Sequence, residues 1–308
     1  MIWAFAALII AGIAAPFVAE FRRPKMDQTV RRTAPGAFAQ LSHGVTHYQW
    51  LGPTQGPVAI CVHGLTTPSF VWGPIAQGLA QMGFRVLTYD LYGRGYSDRP
   101  KGAQDAAFFL TQLNDLMDHE DVKNDVTLLG YSMGGAIASA FAADTPDRLR
   151  RLVLLAPAGF GHDLGPIARL MLNRPKLGKW LMMAFYGRSF RQATEAERDL
   201  DTSIKDIVDR QQAELGYRGF RPAVLASLRD LLDHDQEAEH RKISHQDVPV
   251  LAIWGQDDEV IPIAGLDKLG QWNTTARQEV IKGAGHALAY THTDKVLHAM
   301  RDLLDKRS

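Results

Sequence analysis

The feature that most limits this chain is a repeated alternation of short, unbroken apolar runs with segments of helical spacing. Val58–Val62 and Arg85–Tyr89 are continuous apolar runs too short for a helix, and Val126–Leu129, Leu152–Leu155, Val250–Trp254 and Gln278–Ile281 follow as further short strand-like runs. Such runs suit strands covered on both faces. Between them, Pro74–Met82 stops at Gly83, Ala106–Met117 and Ala136–Ala143 are helical in pattern, and Thr293–Leu304 is a final amphipathic helix. Strand–helix alternation of this kind predicts an α/β fold, a mostly parallel sheet with helices on both sides. Val45–Trp50, β-branched and aromatic and followed by a Gly-Pro turn, reads as a further strand after a polar linker from Pro24 to about Pro35.

From 162 to 245 the alternation breaks. No strand pattern is evident there, and Gly and Pro punctuate several helical stretches. The reading is a helical insertion, a lid, between two parts of one core at 35–161 and 246–308. No repeat or low-complexity tract is present. With 308 residues, 46% of them hydrophobic, the chain can bury a large core. Lys+Arg and Asp+Glu are both 34, so no global charge draws the molecule to nucleic acid. Cys61 is the only cysteine, which rules out an intrachain disulfide and fits a reducing compartment.

The N-terminus is set apart. Met1 to Ala19 carries no charged side chain, and as a helix it would span about 28 Å, close to a hydrocarbon core of about 30 Å. Arg22, Arg23 and Lys25 follow, which places that flank in the cytoplasm if residues 1–21 form a membrane anchor. Two other readings stand beside the anchor. A cleaved signal would make the protein periplasmic or secreted, but a basic leading region is missing and Pro16 and Phe17 spoil the cuts near Ala14 and Ala19. An apolar helix docked on this chain or on a twin subunit is the third.

Gly130-Tyr131-Ser132-Met133-Gly134 carries the chemistry. It follows the run Val126–Leu129 directly and precedes an Ala-rich helix, the strand–turn–helix context of a nucleophile elbow. A serine hydroxyl needs a base, and among eleven histidines His286, in Gly283-Ala-Gly-His286, lies between the last strand and the last helix. His292 and His298 fit helix-start and helix-face positions. The acid is expected after a strand between serine and histidine. Asp257, Asp258 and Glu259 all follow Trp254; Asp258 is chosen, Asp257 is its rival as a turn cap, and Glu259 suits solvent. Ala156-Pro-Ala-Gly159, after the preceding strand, offers no carboxylate. The oxyanion donors expected are the backbone N–H groups of Met133 and of Leu65, in His63-Gly64-Leu65. His63 itself reads as a structural hydrogen-bonding residue. No metal-ligand cluster or phosphate loop is apparent, so no cofactor is expected.

With these residues the chain resembles the α/β-hydrolase superfamily over almost everything after residue 40. The resemblance rests on His63-Gly64, Asp90-Leu-Tyr-Gly93-Arg-Gly95-Tyr-Ser97, the elbow, Gly255-Gln-Asp-Asp258 with Pro262, and Gly285-His286. It implies an eight-stranded sheet with a lid, and its glycine–two residues–acid pattern points to Asp258. Ser132 argues against haloalkane dehalogenases and epoxide hydrolases, which use Asp at the elbow. Hydrolases of meta-cleavage products commonly have Asn where this chain has Tyr131. What the resemblance leaves is a serine hydrolase acting on a small-molecule ester: a carboxylesterase, a monoacylglycerol-lipase-like enzyme or a hydrolase of phthalate monoesters. The C–C bond hydrolase is the alternative, and a non-catalytic binding relative a third.

The lid bears on specificity. Met171, Trp180, Leu181, Met182, Met183, Phe185, Tyr186 and Phe190 either pack the lid onto the core or wall an apolar pocket. Arg169, Arg174, Lys176, Lys179, Arg188 and Arg191 make the same stretch basic, with Asp163 the one nearby acid. They read as a solvated face, as a lure for a substrate carboxylate, or as a contact with anionic lipid.

Overall fold

The computed structural model describes residues 1–161 and 165–304. Its centre is one eight-stranded sheet built from β1 (Ala37–Leu41), β2 (Gly44–Leu51), β3 (Val58–Val62), β4 (Arg85–Tyr89), β5 (Val126–Tyr131), β6 (Leu149–Leu155), β7 (Val250–Gly255) and β8 (Arg277–Ile281). The strand order is β1-β2-β4-β3-β5-β6-β7-β8. The pairings β1/β2 and β2/β4 are antiparallel and all others parallel. This is the mostly parallel sheet expected, at the strand number the resemblance implied. The chain escaped the sequence reading at β1, whose Ala37-Phe-Ala-Gln-Leu41 is an edge strand of weak pattern.

The helices are α1 (Ile2–Phe21), α2 (Gln28–Arg31), α3 (Gly73–Gln81), α4 (Ala106–His119), α5 (Met133–Asp144), α6 (Gly165–Asn173), α7 (Pro175–Glu195), α8 (Ile207–Ala213), α9 (Phe220–Asp230), α10 (Glu237–His245), α11 (Gly265–Trp272), α12 (Leu288–Thr291) and α13 (Thr293–Leu304). Period-2 alternation of the strands divides the core in two. Ile60, Val62, Leu128, Leu152, Leu154 and Trp254 face one layer, with Phe109 and Leu113 of α4, Phe141 of α5 and Leu269 of α11. Cys61, Leu129, Val153, Leu155 and Ile253 face the other, with Ile75 and Leu79 of α3 and Val296 and Met300 of α13. Helix α5 is apolar all round because it is covered all round: every residue from Met133 to Ala143 is buried.

Between β6 and β7 the described residues form helices α6 to α10; the boundary expected at His162 and the lone acid Asp163 lie outside the described residues. These helices have a small core of their own. Met182, Met183 and Phe190 of α7 pack with Leu215, Phe220, Val224 and Leu225, and Leu65 from the loop after β3 joins them. Packing therefore accounts for Met182, Met183 and Phe190, whereas Phe185 stays exposed.

Helix α1 leaves the body. An 18-residue window has a mean hydropathy of 2.3 and is 0% buried. Its C-terminal end is held by polar contacts. Glu20 is buried and accepts from the Gly219 N–H at 2.8 Å, and Arg23 pairs with Glu20 at 3.0 Å. Arg218 donates its backbone N–H to Pro24 O at 2.9 Å and lays its guanidinium over the Phe21 ring at 4.4 Å. The helix also packs on α7.

His240 of α10 is fully buried, stacked on Phe160 at 5.2 Å and 26°. Neither ring nitrogen has a partner among the described residues, and burial pulls its pKa down to about 4. The ring thus stays neutral in the fold while the unfolded chain takes up a proton below about 6.5. Stability is present above that pH and lost as pH falls toward 4, by about 3 kcal/mol for this residue. His240→Phe keeps the stack and removes the titration. Thermal melts at pH 7 and pH 4.5 are expected to show a smaller acid-induced drop in Tm for the variant; an equal drop would refute the assignment.

Candidate active site

In a parallel sheet the strand carboxyl ends share one edge, and the loops leaving them converge there. Ser132 leaves β5, Asp258 leaves β7, His286 follows β8 and Leu65 follows β3. Ser132 sits at φ 55°, ψ −120°, a conformation that L residues rarely adopt. The neighbourhood fixes it. Ser132 N–H donates to Leu155 O at 3.0 Å, and Ser132 O accepts from Gly135 N–H at 2.8 Å and Ala158 N–H at 3.0 Å. Small flanking residues are obligatory, since a Cβ on Gly130 would strike Gly134 O and one on Gly134 would strike Val62 O.

The three side chains singled out from the sequence are brought together. Ser132 Oγ lies 3.0 Å from His286 Nε2, and His286 Nδ1 lies 2.9 Å from Asp258 Oδ2. With Nδ1–H donating to the carboxylate, Nε2 is left to accept from the serine hydroxyl. The other oxygen, Asp258 Oδ1, accepts from Val260 N–H at 2.8 Å and Ile261 N–H at 2.7 Å. Those bonds lock the buried carboxylate in place at an otherwise exposed turn, and they separate it from its rivals: Asp257 and Glu259 are exposed. Met133 is the first residue of α5, so its N–H is among those a helix start leaves without an intrahelical acceptor.

Leu65 is held from behind. Its carbonyl accepts from Arg94 Nε at 2.9 Å. Arg94 is fully buried, and its remaining donors reach Tyr92 O at 2.9 Å, Gln104 Oε1 at 2.7 Å and Ser227 Oγ of α9 at 2.8 Å. A longer contact of 3.5 Å reaches Ala223 O, all five acceptors are neutral, and burial pulls its pKa down to about 9. Glu214, also buried, accepts from Gly95 N–H at 2.9 Å and pairs with Arg99 at 3.4 Å; burial pushes its carboxyl up to about 7. Arg94 and Glu214 thus tie the loop after β4 to the helical insertion above the site.

His63 has a structural task. Nδ1–H donates to Gly64 O at 2.8 Å while Nε2 accepts from Leu91 N–H at 2.9 Å, and burial holds it neutral by pulling its pKa down to about 4. Asp90 organises the adjoining turn. It accepts from Ser69 N–H and Tyr96 N–H at 2.9 Å each and pairs with His47 Nδ1 at 2.8 Å. Burial opposes charge on both partners, yet the pair prevails: His47 is raised and Asp90 falls well below the usual carboxylate range.

Two contributors escaped the sequence reading. Tyr131 donates its hydroxyl to His286 O at 2.7 Å and stacks on the imidazole with centroids 5.5 Å apart. Its place beside the serine was the available signal. Arg94 was visible only as one letter of the Gly93-Arg-Gly95 turn, and nothing local marks an arginine as buried.

The fold and this serine–histidine–carboxylate geometry define an α/β-hydrolase. More narrowly, the chain belongs to the serine aminopeptidase S33 family, whose model matches residues 53–292. It is 33% identical over 260 residues to a haloalkane dehalogenase of Mycolicibacterium paratuberculosis, covering 80% of this chain and 78% of that one. It is 28% identical over 234 residues to a 2-hydroxymuconate semialdehyde hydrolase of Pseudomonas sp. (strain CF600), covering 71% and 76%. Among solved structures, a hydrolase from Pseudomonas aeruginosa PA01 superposes with a TM-score of 0.74 at 24% identity, covering 88% and 99%. The esterase EaEST of Exiguobacterium antarcticum gives 0.72 at 19% identity, covering 88% and 100%.

If the carboxylate orients and stabilises the imidazole, Asp258→Asn keeps the turn bonds but loses kcat by about 10³–10⁴-fold. Tyr131→Phe, which removes a single hydrogen bond, is expected to lower kcat by only about 2- to 10-fold with KM little changed. Steady-state kinetics on a soluble ester check both, and equal losses would reject this ranking.

Proposed function

We propose that the protein is a serine hydrolase of carboxylic esters, acting on small to medium apolar esters or monoesters through an acyl-enzyme. The observation that carries this is the continuous relay from Asp258 through His286 to Ser132, at 2.9 and 3.0 Å. Ser132 Oγ attacks the ester carbonyl as its proton passes to His286 Nε2. The oxyanion rests on the backbone N–H groups of Leu65 and Met133. The alcohol leaves with the proton from Nε2, and water, deprotonated by the same nitrogen, then releases the acid. Serine at the elbow turns the reading away from dehalogenation, despite the 33% identical relative. The relative that hydrolyses 2-hydroxymuconate semialdehyde keeps a C–C bond hydrolase as the second reading.

A panel of p-nitrophenyl esters from C2 to C12 tests the proposal. Turnover of the shorter members is expected, with a loss of at least about 10³-fold in Ser132→Ala. A ring-cleavage product hydrolysed faster than every ester would favour the second reading; retained esterase activity in Ser132→Ala would reject both. Failure of a fluorophosphonate probe to label Ser132 would favour the non-catalytic relative.

For location we propose that α1 is a retained membrane anchor with the hydrolase body on the cytoplasmic side. Twenty residues at ~1.5 Å each span about 30 Å. Arg22, Arg23 and Lys25 supply the basic flank. Retention is supported by Glu20, Arg23 and Pro24, which are built into the helical insertion and tie the end of the apolar helix to the body. Full-length protein is expected in the membrane fraction and protein lacking residues 1–19 in the soluble one. A mature N-terminus at or beyond residue 15, read by mass spectrometry, would reject retention.

A further inference from the structure

A groove of about 1010 Å³ lies away from Ser132, between the end of α1, helices α7 and α9, and the 98–104 loop. One wall is apolar. Phe17 and Phe21 of α1 face into it, with Met183 of α7 and Leu225 of α9. The two phenylalanines belong to the exposed surface of α1, so this wall runs without a break into the side of the apolar helix.

The polar part of the groove is unbalanced. Its three acids are already engaged: Glu20 with Arg23 and Gly219 N–H, Asp98 with Arg31 at 2.6 Å, and Asp230 with Gln104 N–H at 2.9 Å. Its arginines are engaged too, Arg99 with Glu214, Arg218 with Arg23 O at 3.3 Å, and Arg229 with Met171 O at 2.6 Å. Lys25, Lys101 and Lys179 remain. All three are exposed and line the groove, and none has an ion pair or hydrogen bond among the described residues. They come from three separate segments, so their convergence on one hollow is a product of the fold.

Three uncompensated ammonium groups beside an apolar wall, at the point where a bilayer-length helix ends, complement a molecule with a phosphate head and a hydrocarbon tail. We propose that the groove seats one anionic phospholipid of the bilayer, its phosphate held by Lys25, Lys101 and Lys179. One acyl chain lies along Phe17 and Phe21 and continues down α1. The lipid then joins the anchor to the helical insertion and sets how the body stands on the membrane. This rests on the anchor reading of α1, and on nothing in the ester chemistry.

The test uses the full-length protein in dodecyl maltoside, with phosphatidylglycerol, phosphatidylcholine or inorganic phosphate added. Native mass spectrometry reads bound lipid, and thermal melts read stabilisation. The expected result is retention of one phosphatidylglycerol with a raised Tm, and a preference over phosphatidylcholine of about 100-fold, the factor three lysines near an anionic headgroup supply together. Replacing Lys25→Gln, Lys101→Gln and Lys179→Gln together is expected to abolish the preference while hydrolysis of soluble p-nitrophenyl acetate is unchanged. Equal retention of the two lipids by the unaltered protein, or a preference that survives the triple replacement, would overturn the proposal. So would a Tm rise with inorganic phosphate as large as that with phosphatidylglycerol, which would mark a free-anion site. Because the lipid is offered in detergent, these outcomes do not depend on fractionation: a membrane-bound protein without lipid preference defeats the seat alone, and a soluble one defeats the anchor.

Discussion

The site depends on one backbone constraint, the positive-φ conformation of Ser132. A serine held there projects its hydroxyl above the sheet edge, but the conformation is unfavourable for a residue with a Cβ. Three hydrogen bonds to the Ser132 peptide groups, two of them from the end of β6 and the segment after it, hold the residue in place. The central strand and its neighbour therefore act together, and the Ala- and Gly-rich composition of α5 follows from the closeness this requires.

Around that point the polar groups form a support rather than a surface. His63 holds the Gly64 carbonyl, Arg94 holds that of Leu65, and Asp90 holds the turn that carries Arg94. Each is buried, so each unpaired donor or acceptor would be costly, and the network has few alternative arrangements. Arg94 and Glu214 extend the same network into the helical insertion. The loop expected to cradle an oxyanion and the helices above it are joined by side chains that cannot shift singly. Leu65 adds an apolar link, touching both the main core and the core of the insertion.

Much of this was legible in the sequence because it is encoded locally. Short strand-like runs located β3 to β8 to within a few residues, and Thr293–Leu304 coincides with α13. The elbow located Ser132 because its strand, turn and helix are adjacent in the chain. Strand β1 and helix α11 were missed: Ala37-Phe-Ala-Gln-Leu41 has too few β-branched residues, and Gly265-Leu-Asp-Lys-Leu-Gly-Gln-Trp272 carries two glycines. The choice of Asp258 over Asp257 turned on a spacing pattern. Its physical reason, the acceptance of two backbone N–H groups by a buried carboxylate, exists only once β7 and the segment after it are folded. Arg94 and Tyr131 act across the fold on partners far along the chain, and no periodicity registers such a contact.

Cys61 lies in the middle of β3, fully buried, with burial pushing its thiol well above the ordinary range. The thiolate that alkylating reagents and oxidants need is therefore withheld in the native state. As the chain's lone cysteine, it leaves the molecular surface chemically silent toward maleimides. A cysteine introduced at any exposed position becomes a unique attachment point for a spin label or fluorophore, with no background residue to remove first.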